Sequence, residues 1–298
     1  MLWLIVAFVG LLFHGLANIL DNYFVNKLFK NPFVLVFYSS LINLIFLPAV
    51  LFFGVPELPS LSLLPFYILV GLTNIFYLYP YYKALQNDDT SVVASLFSLE
   101  KLFVPVLAFL IVGETLSSLQ YLGFFVIVLS GAVLTLNNHE KKFRLNKSFF
   151  YMALVSIILA FEGVIYKYIF NHVDWATGFT WAIVASFVLT LPMLLVGKSR
   201  TQIISQWSSF KNKFHLFTLE ELLTFSGSAS ATFATSLAPV TIVKSIDSFH
   251  PFIVLAYALL FNKLCPSLFK EKIDAKTIIK KILLFFVMIL GVVLITNG

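Results

Sequence analysis

The sequence predicts an all-α integral membrane protein with ten transmembrane helices arranged as two inverted five-helix repeats. The composition indicates the membrane class: 60% of the 298 residues are hydrophobic and 11% are charged, against about 25% charged in an average soluble protein. Apolar segments long enough to cross a bilayer as helices, about 20 residues each, recur along the whole chain. Five such segments lie on each side of one basic linker. Because five is odd, two halves with the same fold would cross the membrane in opposite orientations, which predicts the inversion.

The apolar segments that predict the ten helices occupy residues 2–24, 33–54, 63–86, 91–112, 117–137, 148–170, 176–197, 217–237, 239–262 and 278–296. The first has no basic start and no small-residue cleavage site, so we interpret it as a retained helix and not as a signal peptide. The eighth opens with Thr218, Glu220 and Glu221 and then becomes rich in Ser, Gly and Ala. We expect it to be a tightly packed inner helix, because small residues let helices approach closely in lipid.

A polar linker, residues 139–147, divides the chain into a first repeat, residues 1–138, and a second repeat, residues 148–298. Because each half contains five helices, two halves that share a fold must insert in opposite orientations, as in many secondary transporters. Two further connections are long, 198–216 and 262–277, and we expect loops there.

Short internal matches support the repeat. They pair Leu99-Glu100-Lys101-Leu102-Phe103 with Ile246-Asp247-Ser248-Phe249-His250, and Phe13-His14-Gly15 with Phe161-Glu162-Gly163. The first match predicts that Glu100 and Asp247 form a pseudo-symmetric pair where the two repeats meet.

The distribution of positive charge predicts an orientation. Most of the 20 Lys and Arg residues lie in or beside loops one, five, seven and nine, and loops two, four, six and eight contain none. The positive-inside rule then places the odd-numbered loops in the cytoplasm and both termini outside. We expect a multi-pass protein of the cell (inner or plasma) membrane. These loops account for the net charge of +6, so nucleic acid is not an expected partner.

Polar side chains inside the apolar segments are the candidate functional residues. Burying an ionisable group without a partner is costly, so such residues usually face the bundle interior or a water-filled cavity. The candidates for a substrate or ion-coupling cavity are Glu100, Asp247, Lys244, Glu162, His14, Asn18, His250, Asn74, Tyr77 and Trp181. A structural role, as packing or as ion pairs between helices, is the alternative for each of them.

Spacing suggests which of these charges pair. Lys244 and Asp247 are three residues apart and share one helix face with His250, so they can form a pair. Glu100 and Lys101 are adjacent and point about 100° apart on a helix, so each needs a partner on another helix. For Glu100 the sequence suggests Lys244 or His14.

Three other charged residues are assigned structural roles. Lys167 lies near the end of a predicted helix, where its long side chain can reach the membrane interface. Asp21 also lies near a helix end and is expected to be hydrated. Glu114 follows Gly113 at a helix end, and we expect it to cap or pair with a neighbouring helix terminus.

A family resemblance is carried by Tyr82-Lys83-Ala84-Leu85-Gln86, Ser91-Val92-Val93, Ser98-Leu99-Glu100, Ala108, Gly113-Glu114, Gly123 and Gly131. This pattern resembles the third to fifth helices of the EamA family, in the drug/metabolite transporter superfamily. Phe13-His14-Gly15 with Asp21 resembles its first helix, and Ala234 through Pro251 resembles the matching part of its second half. The sequence departs from the family in three ways: Lys101 stands where a Pro is frequent, Lys270-Glu271-Lys272 matches a second Gly-Glu only loosely, and the charge bias favours outside termini although many members have them inside. The resemblance implies ten helices in two inverted five-helix repeats and transport of a small metabolite.

No known catalytic motif occurs in the sequence: GxSxG, HExxH, a CxxC pair and a P-loop are all missing, and the single Cys265 excludes a multi-Cys metal site. We therefore expect no enzyme, no cofactor and no metal. The favoured function is a secondary active transporter (permease or exporter) that moves a small metabolite, such as an amino acid or related solute, by alternating access.

Proton coupling is part of the same hypothesis. Glu100, Asp247 and Glu162 would change protonation as substrate binds, and Lys244 would attract an anionic group or hold the empty site. The partners are then a small solute, protons and the lipid bilayer, and both a monomer and a homodimer stay open. Two alternatives are a membrane scaffold or sensor that does not transport, and a membrane-embedded enzyme that handles lipids.

Overall fold

The computed structural model describes residues 1–24, 32–87, 93, 96–137, 147–250, 252–253, 256–257 and 275–298. Its α-helices are α1 (Leu2–Tyr23), α2 (Pro32–Phe46), α3 (Leu64–Phe76), α4 (Leu78–Asn87), α5 (Glu100–Val112), α6 (Ser118–Asn137), α7 (Lys147–Phe170), α8 (Trp175–Thr190), α9 (Gly197–Ser205), α10 (Trp207–Asn212), α11 (Phe214–Leu237), α12 (Val240–Ile246) and α13 (Ala275–Asn297). Short 3₁₀ helices cover Leu47–Phe52, Phe97–Leu99, Leu191–Leu194 and Asp247–Phe249.

Helical residues occur in every segment that the sequence predicts to be a helix, and the described residues contain no strand, so the all-helical class is confirmed. Among the residues that the structure describes, three helices are long and apolar enough to cross a membrane by length and composition: Val34–Phe52, Lys147–Phe170 and Trp175–Leu194. Shorter apolar helices are Leu2–Asn18, Ser118–Val133 and Ile282–Asn297. Ten membrane crossings and an inverted arrangement stay predictions. The linker 139–146 and most of 258–274 lie outside the described residues.

Prolines explain where predicted helices break. The segment 63–86 was expected to be one helix, but it is divided at Tyr77 between α3 and α4. Pro80 has no N–H, and its ring clashes with the carbonyl four residues earlier, which belongs to Phe76. Pro48 and Pro192 likewise lie within the 3₁₀ turns that end α2 and α8. These breaks leave irregular backbone in the middle of otherwise apolar helices.

We expected a loop at 198–216, but the segment folds into α9 and α10, so this prediction is corrected. Ile203 of α9 and Phe210 of α10 are both buried. The Tyr38 ring stacks on Phe210 at 4.2 Å, and its hydroxyl donates a hydrogen bond to the Ile203 carbonyl at 2.7 Å. These contacts dock the segment on the bundle.

Glycines allow two pairs of helices to pack at close range. A Cβ atom added at Gly10 of α1 would lie 3.0 Å from the Gly227 carbonyl oxygen of α11. A Cβ added at Gly123 of α6 would lie 2.6 Å from the Gly291 carbonyl oxygen of α13. Larger residues at these positions would push the helices apart. The expectation that the eighth segment is a tightly packed inner helix is confirmed.

The break between α11 and α12 is held by two charged side chains. Gly113, with φ of 66°, ends α5 in the left-handed conformation that glycine adopts readily. Glu114 then accepts hydrogen bonds from the Val240 and Thr241 N–H groups at 2.8 and 3.0 Å. The predicted capping role of Glu114 is confirmed, and it fixes the start of α12.

Lys167 of α7 contacts the residues just before the break between α11 and α12, whereas Glu114 contacts those just after it. Its ammonium group donates hydrogen bonds to the carbonyl oxygens of Thr235 at 3.0 Å and Ala238 at 2.9 Å. The side chain therefore binds a helix end, and its reach to the membrane interface stays a prediction. The free carbonyls at a helix C-terminus attract a cation, and here they are those of α11.

Candidate functional site

A cavity of about 320 Å³ lies within the bundle and is lined by residues from α1 to α8, α11 and α12. Its volume falls in the range of about 300–1,000 Å³ that is typical of small-molecule sites. Nine of the ten candidate residues line it: His14, Asn18, Asn74, Tyr77, Glu100, Glu162, Lys244, Asp247 and His250. Residues far apart in the sequence thus meet in one space.

One ion pair crosses this cavity. The Lys244 ammonium on α12 lies 2.7 Å from the Glu100 carboxylate on α5, and their side chains are 23% and 7% exposed. Glu100 is the first residue of α5, where the helix dipole favours a negative charge. Removing one partner of a buried pair leaves the other charge uncompensated, which is strongly destabilising. The pairing of Glu100 with Lys244, one of two that the sequence suggested, is present in the structure.

The pairing expected between Lys244 and Asp247 is not found among the described residues, where Lys244 bridges Glu100 instead. Lys244 binds the closer carboxylate: its ammonium group lies 2.7 Å from Glu100, and the charge of Asp247 acts on it more weakly. Asp247 still lines the cavity, and its charge interacts with those of His14 and Lys101.

Gly163 of α7 makes room for the Lys244 side chain. A Cβ atom at this position would lie 2.9 Å from Cε of Lys244. The neighbouring Glu162 lines the cavity and contributes to the electrostatic field at Lys244. The Glu162-Gly163 dipeptide of α7 therefore contributes a charge and the space beside it.

The two histidines lie near the same ion pair. The Asn18 amide on α1 donates a hydrogen bond to Nε2 of His250 at 2.9 Å. The ring of His14, one turn before Asn18, packs on Gly227, where a Cβ would lie 2.9 Å from the ring carbons. Helix α1 thus contributes two polar side chains from one face to the cavity.

Lys101 is a buried charged residue of the same cavity. It is only 4% exposed and lines the cavity beside Glu100. The described residues provide no hydrogen bond or salt bridge to its ammonium group, although Asp247 and Glu100 act on it electrostatically. An ammonium group buried in this way is available to an anionic ligand group.

Trp181 is the exception among the ten candidates, and its predicted position in the cavity is corrected. Its indole N–H donates a hydrogen bond to the Glu57 carbonyl at 2.7 Å. This contact directs the ring toward the connection between α2 and α3, away from the residues that line the cavity. An indole within an apolar segment satisfies its one donor wherever an acceptor is near.

The sequence analysis missed an acidic group at the cavity. Asp21 of α1 and the adjacent Glu220 and Glu221 of α11 all line it, and the two glutamates are 3% and 2% exposed. Asp21 was expected to be hydrated at a helix end, and the glutamates appeared only as a polar start to the eighth segment. Two consecutive carboxylates in an otherwise apolar helix were the signal that could have found this group.

Neutral donors hold the acidic group in place. Glu221 accepts hydrogen bonds from the Ser39 hydroxyl and from the Asn43 amide, the latter at 3.2 Å. The Thr224 hydroxyl donates to Glu220 at 2.8 Å. The Tyr81 hydroxyl donates to Asp21 at 3.3 Å. These contacts orient the carboxyl groups.

Comparison with known proteins adds a family and a fold. The profile of the EamA-like transporter family matches residues 1–136. A solved structure, described only as "Crystal structure of protein", aligns with 99% of this chain and 98% of its own at a TM-score of 0.67 and 16% identity. At that identity the likeness concerns the fold alone. No curated protein matches the sequence.

Proposed function

We propose that this chain is a secondary transporter that moves a small polar solute through the central cavity by alternating access, and the match of the EamA-like transporter family profile to residues 1–136 supports this. The observation that carries the proposal is the Glu100–Lys244 ion pair. It joins α5 in the first half of the chain to α12 in the second half, inside a cavity that both halves line. A site shared by two halves is the arrangement that alternating access requires.

Matching irregularities support two inverted repeats, with residues 1–138 and 148–298 as the units. Leu47-Pro48 opens the 3₁₀ turn that ends α2, and Leu191-Pro192 opens the 3₁₀ turn that ends α8. Another pair of 3₁₀ turns, Phe97–Leu99 and Asp247–Phe249, lies about 50 residues later in each half. The helix contacts also match between the halves. The first helix of the first half, α1, packs on α11 of the second half, and the first helix of the second half, α7, packs on the α3–α4 pair of the first half.

This register differs by three residues from the one that the sequence matches suggest. Aligning the turns pairs Ser98-Leu99-Glu100 with Ser248-Phe249-His250, so the counterpart of Glu100 is His250 and no longer Asp247. In this register Lys101 corresponds to Pro251, which accounts for a lysine where the family often has a proline. The two residues that follow each 3₁₀ turn would then differ between the halves: Glu100 and Lys101 in the first half, His250 and Pro251 in the second.

In the proposed mechanism, the ion pair responds to the occupant of the cavity. A solute group or a proton that binds Glu100 weakens its attraction for Lys244 and lets α5 and α12 separate. Only an occupant that binds the two arrangements with different affinity can shift their equilibrium. Asp247 and Glu162 are the nearby carboxylates that can exchange protons during the cycle, and Lys244 holds the empty site closed against Glu100.

Helix breaks at the cavity supply the flexible points. Tyr77, at the break between α3 and α4, and Asp247, at the turn after α12, both line the cavity. Discontinuous helices at a membrane-embedded site are typical of secondary transporters. We further propose the cell membrane as the location, with the basic odd-numbered loops in the cytoplasm.

The experiment is solute exchange in proteoliposomes with panels of amino acids, sugars, nucleosides and amines, with and without a pH gradient. We expect counterflow of at least one panel, and its loss in Glu100→Gln. Glu57→Gln is the matched control, because Glu57 is an exposed carboxylate in the connection between α2 and α3. Exchange that is indifferent to both the pH gradient and Glu100→Gln would remove the coupling hypothesis. Failure of every panel would favour a scaffold or sensor.

A further inference from the structure

We propose that Asp21, Glu220 and Glu221, with the rings of Tyr77, Tyr81 and Tyr82, form a subsite that binds the cationic ammonium group of a small organic amine. The subsite deepens the proposed function, because it names the solute class that the cavity takes. Its binding chemistry nevertheless stands apart from transport and can be measured in protein that does not transport.

The charges that line the cavity are unbalanced. The described lining residues include six carboxylates, at Asp21, Glu100, Glu162, Glu220, Glu221 and Asp247, but only two lysines, Lys101 and Lys244. Both lysines belong to α5 and α12, and Lys244 already bridges Glu100. The acidic group on α1 and α11 therefore has no described lysine or arginine beside it, and a buried carboxyl group without a positive partner either keeps its proton or is ionised by a cationic occupant.

The side chain of Tyr82, which faces the cavity, is a second and independent indication of a ligand. Tyr82 is only 3% exposed and lines the cavity. Its electrostatic neighbours are Asp21, Tyr77, Glu220 and Glu221, so the hydroxyl lies among the acidic groups. Within the described parts of the chain no hydrogen bond to this hydroxyl is found. A buried phenol normally has a hydrogen-bond partner, so an oxygen in this position is suited to a donor supplied by a ligand.

The tyrosines add a second attraction for an organic cation. The ring centroids of Tyr77 and Tyr81 lie 6.5 Å apart, and those of Tyr81 and Tyr82 lie 5.2 Å apart. A cation over the face of such rings is attracted by their quadrupoles. An ammonium group has three N–H donors, and carboxylate and phenol oxygens are the acceptors present here.

A metal ion is the less suitable cation for this subsite. The described residues contain no group of three or more His, Cys, Asp or Glu side chains that could hold a metal ion. The cavity of about 320 Å³ also has room for an organic body beside the charge. Carboxylates set among aromatic rings and hydroxyls suit an amine attached to an apolar or aromatic group.

The test uses three probes that differ only in the charge at one end: phenethylamine (cationic), 2-phenylethanol (neutral) and phenylacetate (anionic). Binding to the purified full-length protein is measured at pH 7.5 by calorimetry and by ligand-dependent thermal shift. We expect phenethylamine to bind at least tenfold more tightly than either analogue. Equal binding of phenethylamine and 2-phenylethanol would overturn the proposal, since it would mean that the carboxyl groups carry protons and hold no cation.

Substitutions in the subsite test where phenethylamine binds. Glu221→Gln and Glu220→Gln keep the shape and the hydrogen-bonding capacity, and each is expected to weaken phenethylamine binding at least tenfold. Glu57→Gln is the matched control and should leave it unchanged. Tyr82→Phe removes one oxygen and should weaken binding about threefold. If the glutamine variants do not fold, Tyr82→Phe and the probe series still decide, and unchanged binding in Tyr82→Phe together with equal probe affinities would refute the subsite.

The outcome is separable from that of the transport proposal. Selective ammonium binding without solute exchange would sustain the subsite and count against transport. Exchange of neutral or anionic solutes, without ammonium selectivity, would sustain transport and reject the subsite.

Discussion

The ammonium group of Lys244 lies 2.7 Å from the carboxylate of Glu100, although the two residues are 144 positions apart in the sequence. The pair connects α5, in the first half of the chain, with α12, in the second half, inside the cavity. Its partners come from elements that begin at special backbone positions: α5 follows a 3₁₀ turn, and α12 begins at the helix break that Glu114 caps. The ion pair therefore depends on how both breaks are held.

The first prediction concerns the ion pair itself. Glu100→Gln and Lys244→Met should each destabilise the folded protein, because each leaves one charge without its partner. Breaking a buried pair costs about 3–5 kcal/mol, and we expect less here because Lys244 is 23% exposed to the cavity. The combined variant should be more stable than the sum of the single effects. The measurement is a double-mutant cycle from unfolding in detergent; additive effects would mean that the two charges do not interact.

The second prediction concerns the cap on α12. Glu114→Ala removes both hydrogen bonds to the Val240 and Thr241 N–H groups. A lost N-cap typically costs about 0.5–2 kcal/mol, so the unfolding temperature should fall. Because α12 carries Lys244, the same variant should also reduce solute exchange. Glu57→Ala, at an exposed site, is the control, and equal effects of the two substitutions would contradict the capping role.

The third prediction tests the space beside Lys244. In Gly163→Ala, the new Cβ would lie 2.9 Å from Cε of Lys244. The lysine stem is flexible, so we expect the protein to fold but the Glu100–Lys244 distance to change, with exchange reduced severalfold. Gly197→Ala is the matched control, since nothing lies within 4 Å of its added Cβ. Full exchange by Gly163→Ala would show that Lys244 need not occupy its present position.

The fourth prediction concerns acid stability at the connection between α7 and α8. Asp174 caps α8 by accepting hydrogen bonds from the Thr177 N–H at 3.0 Å and the Thr177 hydroxyl at 2.6 Å. Partial burial acts to raise the pKa of Asp174, but these hydrogen bonds and those from backbone N–H groups outweigh it and hold the pKa below its usual value.

A carboxyl group whose pKa is lower in the folded state stabilises the fold above its unfolded pKa, and this contribution is lost as pH falls through the folded value. Asp174→Ala should therefore lower the unfolding temperature at neutral pH, and the difference from the wild type should shrink as the pH falls below about 4. A difference that stays constant from pH 7 to pH 3 would contradict this account.

Much of the fold could be predicted from the sequence because apolar length and proline positions are local properties. The helix locations and the cap at Glu114 followed from such signals. The break at Tyr77 was also within reach, since Pro80 disrupts the helix one turn earlier. The docking of α9 and α10 was not, because it depends on how Tyr38 stacks on Phe210, a contact between distant segments.

The candidate site was predictable in composition but not in pairing. Glu100, Lys244 and Asp247 were identified as candidates because a charged side chain inside an apolar segment is costly unless it has a partner or a function. Which partner each one meets depends on helix rotation and on which opposite charge lies closer, as Glu100 does to Lys244. The acidic group was missed because Glu220 and Glu221 were placed at the edge of a predicted segment, whereas α11 begins at Phe214 and places them one to two turns inside.

The central claim is that the cavity opens in turn to the two sides of the membrane, and cysteine accessibility tests it without knowledge of the solute. Ser228→Cys, which lies on the cavity wall, is placed in a Cys265→Ser background and reconstituted in oriented proteoliposomes. A membrane-impermeant maleimide is then applied from one side or the other, with Ser60→Cys on the exposed connection between α2 and α3 as a control that labels from one side only. The account predicts labelling of Ser228→Cys from both sides, with the ratio changed by Glu100→Gln. Labelling from a single side, in both the wild-type and the Glu100→Gln backgrounds, would contradict it.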